Sequence, residues 1–308
     1  MNLLKENVAH KNSEQNEPLA IDVQDVSAII GRFFLTDISF KVPRGTVCGL
    51  VGKNSAGKTV LLRTLVNQMK KKKGTISIAG WDVHEQFEQM KSEIGVVWSE
   101  LHVPVRMTAR KLNKLYRSVY DGWDEDYFYS FLREFNVPLD DKIKTLSKGT
   151  LMKLNIALAM SHHPRVLILD EPTSGIDPFD RDEIISVFTR YMEDENNTMI
   201  ISSHIISDLE KIADSILYME DGQILFHKQK DAIFSDYVVW QGSVDEMKEL
   251  HNFAIVSELP SAFGRKVLLD KQKLIKIGAF ERYRGLEAPT LEEFLLFMQA
   301  REVHSELE

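Results

Sequence analysis

The sequence predicts an α/β fold: a mostly parallel sheet covered by helices, an inserted helical subdomain, and a small α/β appendage near the C-terminal end. Three observations predict it. Short β-rich runs alternate with stretches of helical spacing through most of the 308 residues. The run RVLILD, Arg165 to Asp170, is unbroken apolar and ends in acid, as a strand buried on both faces does. The run TVCGLVG leads directly into GKNSAGKT, Gly52 to Thr59, and then into a helical stretch. That octapeptide has the spacing G-x-x-x-x-G-K-[ST] of a phosphate-cradling loop.

In chain order, residues 1–18 are polar and are expected to form a flexible tail. IDVQDV, LTDISFKV and TVCGLVG follow as strands, and TVLLRTLVNQM as a helix. Lys70 to Lys73 precede Gly74 and are expected to solvate the C-terminus of that helix. GTISIAG and Ile94 to Trp98 read as strands. From about residue 100 to 163 the pattern is helical and aromatic-rich, the expected subdomain. After RVLILD come a helix over Arg181–Met192, the strand TMIISS, a helix over Ile205–Ile212, the strand SILYM and a turn at Glu220-Asp221-Gly222. Residues 19–235 thus form the expected main domain. Residues 236–308 change character: VVWQG, FAIVS and RKVLLD are strand-like. Two helices there open on capping boxes, Ser243-x-x-Glu246 and Thr290-x-x-Glu293.

Composition narrows the function classes. The net charge of −8 disfavours sequence-independent nucleic-acid binding, which needs Lys and Arg against phosphates. The single cysteine, Cys48, lies in an apolar run and reads as a buried thiol rather than part of a disulfide framework. No apolar run approaches the roughly 18–20 residues needed to span a bilayer, and the first residues lack the apolar core of a secretion signal. The expectation is a cytoplasmic chain, peripheral on the inner face of the membrane if it serves a membrane process.

The loop supplies the first chemistry. Gly52 and Gly57 permit a tight turn and close backbone approach. The backbone of Asn54, Ser55 and Ala56, continuing through Val60 at the helix start, faces an anion. Lys58 reaches the β- and γ-phosphates, and the Thr59 hydroxyl binds Mg²⁺. RVLILDEP supplies the second. Asp170 ends a buried strand and is aimed at Mg²⁺. Glu171 follows, placed to act as general base on a water.

The order GKNSAGKT, LSKGT (Leu146–Thr150), VLILDEP, SGID (Ser174–Asp177) and SSH (Ser202–His204) resembles the ATP-binding-cassette (ABC) ATPases over about residues 20–235. The resemblance implies a P-loop NTPase core with a parallel sheet, a small antiparallel β element and an inserted helical subdomain. It implies ATP and Mg²⁺ as cofactors. It implies that two cassettes sandwich two ATP molecules head to tail, so the chain needs a second ABC ATPase subunit, a copy or a relative. Ser147 and Gly149 would then serve the γ-phosphate on the opposite cassette. His204 matches the switch histidine, and Asp177 would couple the two sites.

The chain departs from the family pattern in places. LSKGT replaces the usual L-S-G-G-Q at Lys148 and Thr150. The usual metal-sensing glutamine falls at Ser99, with Glu100 as a substitute. The adenine-stacking aromatic is open among Ile30, Phe33 and Phe34. YRSVYDGWDEDY, LSKGTLMKLNIALAMSHHP and SDLEKIADSILYMEDGQI most resemble the bacitracin-type exporter and immunity ATPases, which act on a separate transmembrane permease. The aromatic stretch Tyr116–Phe135 is either the permease contact or subdomain core. The alternative role is a single-cassette soluble ATPase in assembly or repair.

Overall fold

The computed structural model describes residues 18–305 apart from 248, 249, 251, 263 and 284, with side chains described to residue 300. The expected tail lies outside the described residues up to residue 17.

The chain opens with β1 (Leu19–Ile30) and β2 (Phe33–Pro43), an antiparallel hairpin turning at Gly31. A bulge between Val23 and Val26, with Asp25 at φ 50°, keeps both valines on the buried face. Next come β3 (Val47–Val51), α1 (Lys58–Leu65), β4 (Lys71–Ile78), β5 (Trp81–Asp82), α2 (Phe87–Glu93) and β6 (Ile94–Val97). The order β2-β1-β4-β5 forms an antiparallel sheet.

One expectation is corrected here. Lys71 to Lys73 do not end a helix; they begin β4, pairing with β1 as Ala28↔Lys71 and Ser27↔Lys73. Lys73 is ion-paired with Asp37. The lysines alternate with nothing apolar, so their strand state comes from the partner strand rather than from their own pattern.

Three helices lie between β6 and the next strand: α3 (Ala109–Arg117), α4 (Glu125–Glu134) and α5 (Lys148–Met160). Buried Asn113 ties α3 to α4. Its amide donates to Glu125 at 2.9 Å and to Tyr129 at 3.1 Å, and accepts from Trp123 Nε1 at 2.7 Å. Then follow β7 (Val166–Asp170), α6 (Pro178–Tyr191), β8 (Thr198–Ser202), α7 (Ile206–Ile212), β9 (Ser215–Glu220) and β10 (Gln223–Gln229). Helix α6 begins three residues before the expected Arg181, because Asp177 caps it and Pro178 takes the first helical position.

The main sheet has the order β10-β9-β3-β8-β7-β6, parallel except for β10 at its edge. Every residue of β3, β7 and β8 is buried. Alternate side chains leave opposite faces. Cys48, Leu50, Ile168 and Ile200 pack toward the antiparallel sheet and α1, whereas Val51, Leu167, Leu169 and Ile201 pack toward α3 to α6. This is why these strands read as continuous apolar runs.

The chain ends with α8 (Lys230–Asp236), β11 (Tyr237–Gly242), α9 (Val244–Met247), β12 (Ile255–Ser261), β13 (Gly264–Asp270), α10 (Lys271–Lys276) and α11 (Leu291–Ser305). Its sheet, β11-β13-β12, is antiparallel. Leu291, Phe294, Leu295 and Phe297 of α11 are buried in the same cluster as the helical face of the main sheet. A separate cluster around Trp240, Val267 and Leu274 fills the far side of the small sheet. Helices α8 and α10 and strand β10 had no counterpart in the sequence reading.

Candidate active site

The parallel strands β3, β7 and β8 end on one edge, and the site is built on the loops that leave them. After β3 the chain wraps from Gly52 to the N-terminus of α1. Gly57 sits at φ 103°, and a side chain there would strike the Phe33 ring at 2.5 Å. A Cβ on Gly52 would lie 2.1 Å from the Met219 carbonyl. Both positions therefore require glycine, one for its dihedral and one for its closeness to β9. Ser55 adopts φ 72°, bending the loop further.

Lys58 is only 8% exposed. Its ammonium donates back to the carbonyls of Gly52 at 2.8 Å and Lys53 at 3.3 Å, and lies 3.8 Å from Glu171 Oε1. The lysine thus closes a ring over its own loop and directs its charge to the middle of it. Lys53 pairs with Glu220 at the end of β9, pinning the loop from outside.

From β7, Asp170 Oδ2 accepts a hydrogen bond from Thr59 Oγ1 at 2.9 Å, and Oδ1 accepts from Ser202 Oγ at 2.8 Å. Ser202 also receives the Glu171 amide at 3.0 Å. This serine, the last residue of β8, holds the Asp170 carboxylate and the Glu171 backbone. Its signal was present in the sequence as a polar residue closing the apolar run TMIIS, but nothing there specified its partners. Glu171 takes a left-handed φ of 52°, which turns its side chain off the strand line. His204 donates from Nδ1 to Glu171 Oε2 at 2.5 Å.

A cleft of about 740 Å³ opens beside these groups, with Gly52, Asp170 and Ser202 outside its lining. Asn54, Ser55, Ala56, Gly57, Lys58, Thr59, Val60, Ser99, Glu171 and His204 line it. Ser99 faces this cleft, whereas Glu100 lines a neighbouring groove instead. Of the three candidates for a base contact, only Phe33 lines the cleft. Ile30 packs against the antiparallel core, and Phe34 is 54% exposed.

Ser147, Gly149 and Asp177 do not line this cleft. Ser147 caps α5, its hydroxyl accepting from the Thr150 amide at 3.1 Å. Asp177 caps α6, accepting from the amides of Phe179 at 3.1 Å and Asp180 at 3.2 Å. Gly149 is buried between the two helices, where a Cβ would overlap the Asp180 carboxylate.

The donor set tests the fit of a metal. Thr59, Asp170 and Ser99 offer hydroxyl and carboxylate oxygens only, which suits Mg²⁺. No cluster of three or more His, Cys, Asp or Glu that could hold a metal ion occurs among the described residues. Cys48 plays no part: it is fully buried, and burial pushes its thiol up to about 12.

Comparison with known proteins agrees with this fold. The family described as ABC transporter matches residues 35–174. An uncharacterized ABC transporter ATP-binding protein of Bacillus subtilis, YhcH, is 27% identical over 89% of this chain and 86% of its own. The lantibiotic transport ATP-binding protein SrtF of Streptococcus pyogenes is 29% identical over 68% of this chain and 91% of its own. A solved ATP-binding subunit of an ABC transporter superposes with a TM-score of 0.63 at 24% identity, covering 70% of this chain and 91% of that one. The dimeric cassette MJ0796, bound to ADP and phosphate after hydrolysis, superposes with a TM-score of 0.61 at 18% identity, covering 68% of this chain and 98% of that one.

Proposed function

Since this chain is an ATPase of the ABC transporter family, we propose that it drives export of peptides or other amphipathic compounds through a separate membrane permease, paired with a second cassette. The observation that carries the composite-site part of this reading is a separation. Lys58, Thr59, Glu171 and His204 line one cleft, with Asp170 bonded to Thr59 behind it, while Ser147, Gly149 and Asp177 of the same chain stand outside its lining.

In this reading the loop amides from Asn54 to Thr59 and the Lys58 ammonium bind the ATP phosphates. Phe33 stacks on the base. Thr59, Asp170 and Ser99 would hold Mg²⁺, which would supply positive charge against the phosphates. Glu171 accepts the proton of the water that attacks the γ-phosphorus, and ADP and phosphate result. His204, bonded to Glu171, fixes the carboxylate's orientation. The N-terminus of α5 from the second subunit, with Ser147 and Gly149, closes over the γ-phosphate. Asp177 links the two sites.

The exporter reading is supported by the lantibiotic transport protein and by a Nod factor export ATP-binding protein of Bradyrhizobium diazoefficiens, 27% identical over 75% of this chain. No helix among the described residues is long and apolar enough to cross a membrane, which is consistent with a permease on another chain. The permease would dock in the groove beside the cleft, lined by Trp98, Glu100, Tyr116, Tyr120, Asn155 and His162. The aromatic stretch therefore divides: Tyr116 and Tyr120 face that groove, while Phe128, Phe131 and Leu132 are buried core.

The composite site is tested by Ser147→Arg in every subunit. Turnover is expected to stop while ATP still binds the loop; full activity overturns the reading. Recovery of a polytopic membrane protein with the chain from gently solubilised membranes tests the transport role, and recovery with soluble partners alone overturns it.

A further inference from the structure

Buried Lys153 has no role in the chemistry above. It lies on α5, six residues after Ser147, and is 7% exposed. Its ammonium meets two carboxylates of α6, Asp180 at 2.5 Å and Glu183. A lysine withdrawn from water this far is held charged only by such partners. Burial pulls its pKa down, the two carboxylates pull it up, and the net direction is upward.

The pairing fixes more than two helices. Asp180 stands in the first turn of α6, three residues after Asp177, and its carboxylate lies directly against Gly149. The Lys148 ammonium reaches over Gly175 in the loop before Asp177. The next residue of α6, Arg181, is gripped from the other side. It donates from Nε to buried Asp208 on α7 at 2.7 Å, and Asp208 also accepts from Thr173 at 2.8 Å. Asp208 lies four residues after His204. Adjacent residues of α6 thus join the helix that carries Ser147 to the helix that follows His204.

We propose that Lys153 is a positioning residue for the composite ATP site: through Asp180 and Glu183 it locks the N-terminus of α5 and the Asp177 loop into one rigid head, which the Arg181–Asp208 pair anchors behind His204. This rests on the composite-site reading. The head presented to the second subunit's phosphate would lose its geometry without the lysine, while the chain's own loop would keep its own.

The test compares Lys153→Met, Lys153→Arg and Asp180→Asn in the purified full chain, reading ATP affinity, kcat and KM. The expected result for Lys153→Met is an ATP affinity within about twofold of the parent and a kcat lower by at least about tenfold. Lys153→Arg is expected to recover most of that loss. Asp180→Asn leaves Glu183 to hold the lysine, keeps the protein folded and gives a smaller drop in kcat. Normal kcat in Lys153→Met overturns the proposal. So does a parallel loss of affinity and kcat that arginine fails to rescue, which assigns the lysine to bulk stability; should Lys153→Met not fold, normal kcat in Asp180→Asn overturns it instead. Ser147→Arg run alongside separates the two readings: if it is fully active the composite site falls, and if it is inactive while Lys153→Met is normal only this proposal falls.

Discussion

His204 donates to one oxygen of Glu171 at 2.5 Å, and the Lys58 ammonium lies 3.8 Å from the other. Glu171 is therefore held at both ends by groups from two different loops, with its backbone turned to a left-handed φ by the strand exit. A carboxylate fixed this way has one orientation in which to meet a water, the requirement for a general base. Glu171→Gln keeps the shape and removes the basicity. Single-turnover hydrolysis is expected to fall by about 10²–10⁴-fold, with ATP affinity retained and an ATP-dependent dimer accumulating on size exclusion. Hydrolysis at the parent rate would falsify the assignment.

Lys58 is expected to account for most of the phosphate affinity. Its ammonium sits at the centre of the loop, within reach of the space a phosphate chain would take. Lys58→Ala removes a charge-assisted bond worth about 2–3 kcal/mol, roughly a hundredfold in Kd. Titration with a fluorescent ATP analogue checks this; an unchanged Kd would place the phosphates elsewhere.

Phe33 and Phe34 are adjacent but are expected to behave differently. The hairpin turn sends Phe33 into the cleft over Gly57 and leaves Phe34 outside it. Base stacking on an aromatic ring contributes about 1–3 kcal/mol. Phe33→Ala should therefore raise the Kd for ATP by about tenfold or more, and Phe34→Ala should leave it near the parent value. Equal effects from the two would remove the stacking role from Phe33.

One buried histidine, His162, and one half-buried, His227, make stability fall on acidification. His162 donates from Nε2 to the Ile94 carbonyl at 2.9 Å, and its other nitrogen has no partner. Burial holds its pKa below the usual value, as it does for His227. The unfolded chain takes up these protons at about pH 6.5, before the folded protein does. Stability is thus expected to be level above that pH, to fall as the pH drops below it, and to level again under the lowered folded values. Thermal melts from pH 8 to 5 check the sign. His162→Gln should flatten part of the slope, and an unaltered slope would assign it to other groups.

The loop Gly52–Thr59 and the strand end at Asp170–Glu171 could be located directly because each is local: a glycine spacing and an apolar strand that ends in acid. The placement of Phe33 could not, since three residues around one hairpin turn are equivalent until the turn at Gly31 fixes which side faces α1. Lys71 to Lys73 were misread because their strand depends on pairing with Ser27 and Ala28 more than forty residues earlier. The burial of Lys153 depends on α6, whose start was itself placed late. For the lysines of β4 and for Lys153, what escaped reading was set by a distant partner rather than by the residue's own neighbours.

Phe294 is one of several α11 residues that tie the C-terminal sheet to the main core, and this gives a prediction about cooperativity. Phe294 of α11 is fully buried, its ring 5.7 Å from Phe226 of β10 and 5.0 Å from Tyr237 of β11. Phe226 in turn stacks on Tyr218 of β9 at 5.3 Å. Trp240, by contrast, belongs to the separate cluster on the far side of the small sheet. Removing a buried phenylalanine costs about 3–5 kcal/mol. At Phe294 that cost should fall on the main unfolding transition, because the cavity opens beneath β9 and β10. At Trp240 a similar cost should fall on the small sheet first, separating an early transition from the main one. Far-UV and tryptophan-fluorescence melts distinguish the two, and a single shared transition in both variants would show that the small sheet and the core unfold as one unit.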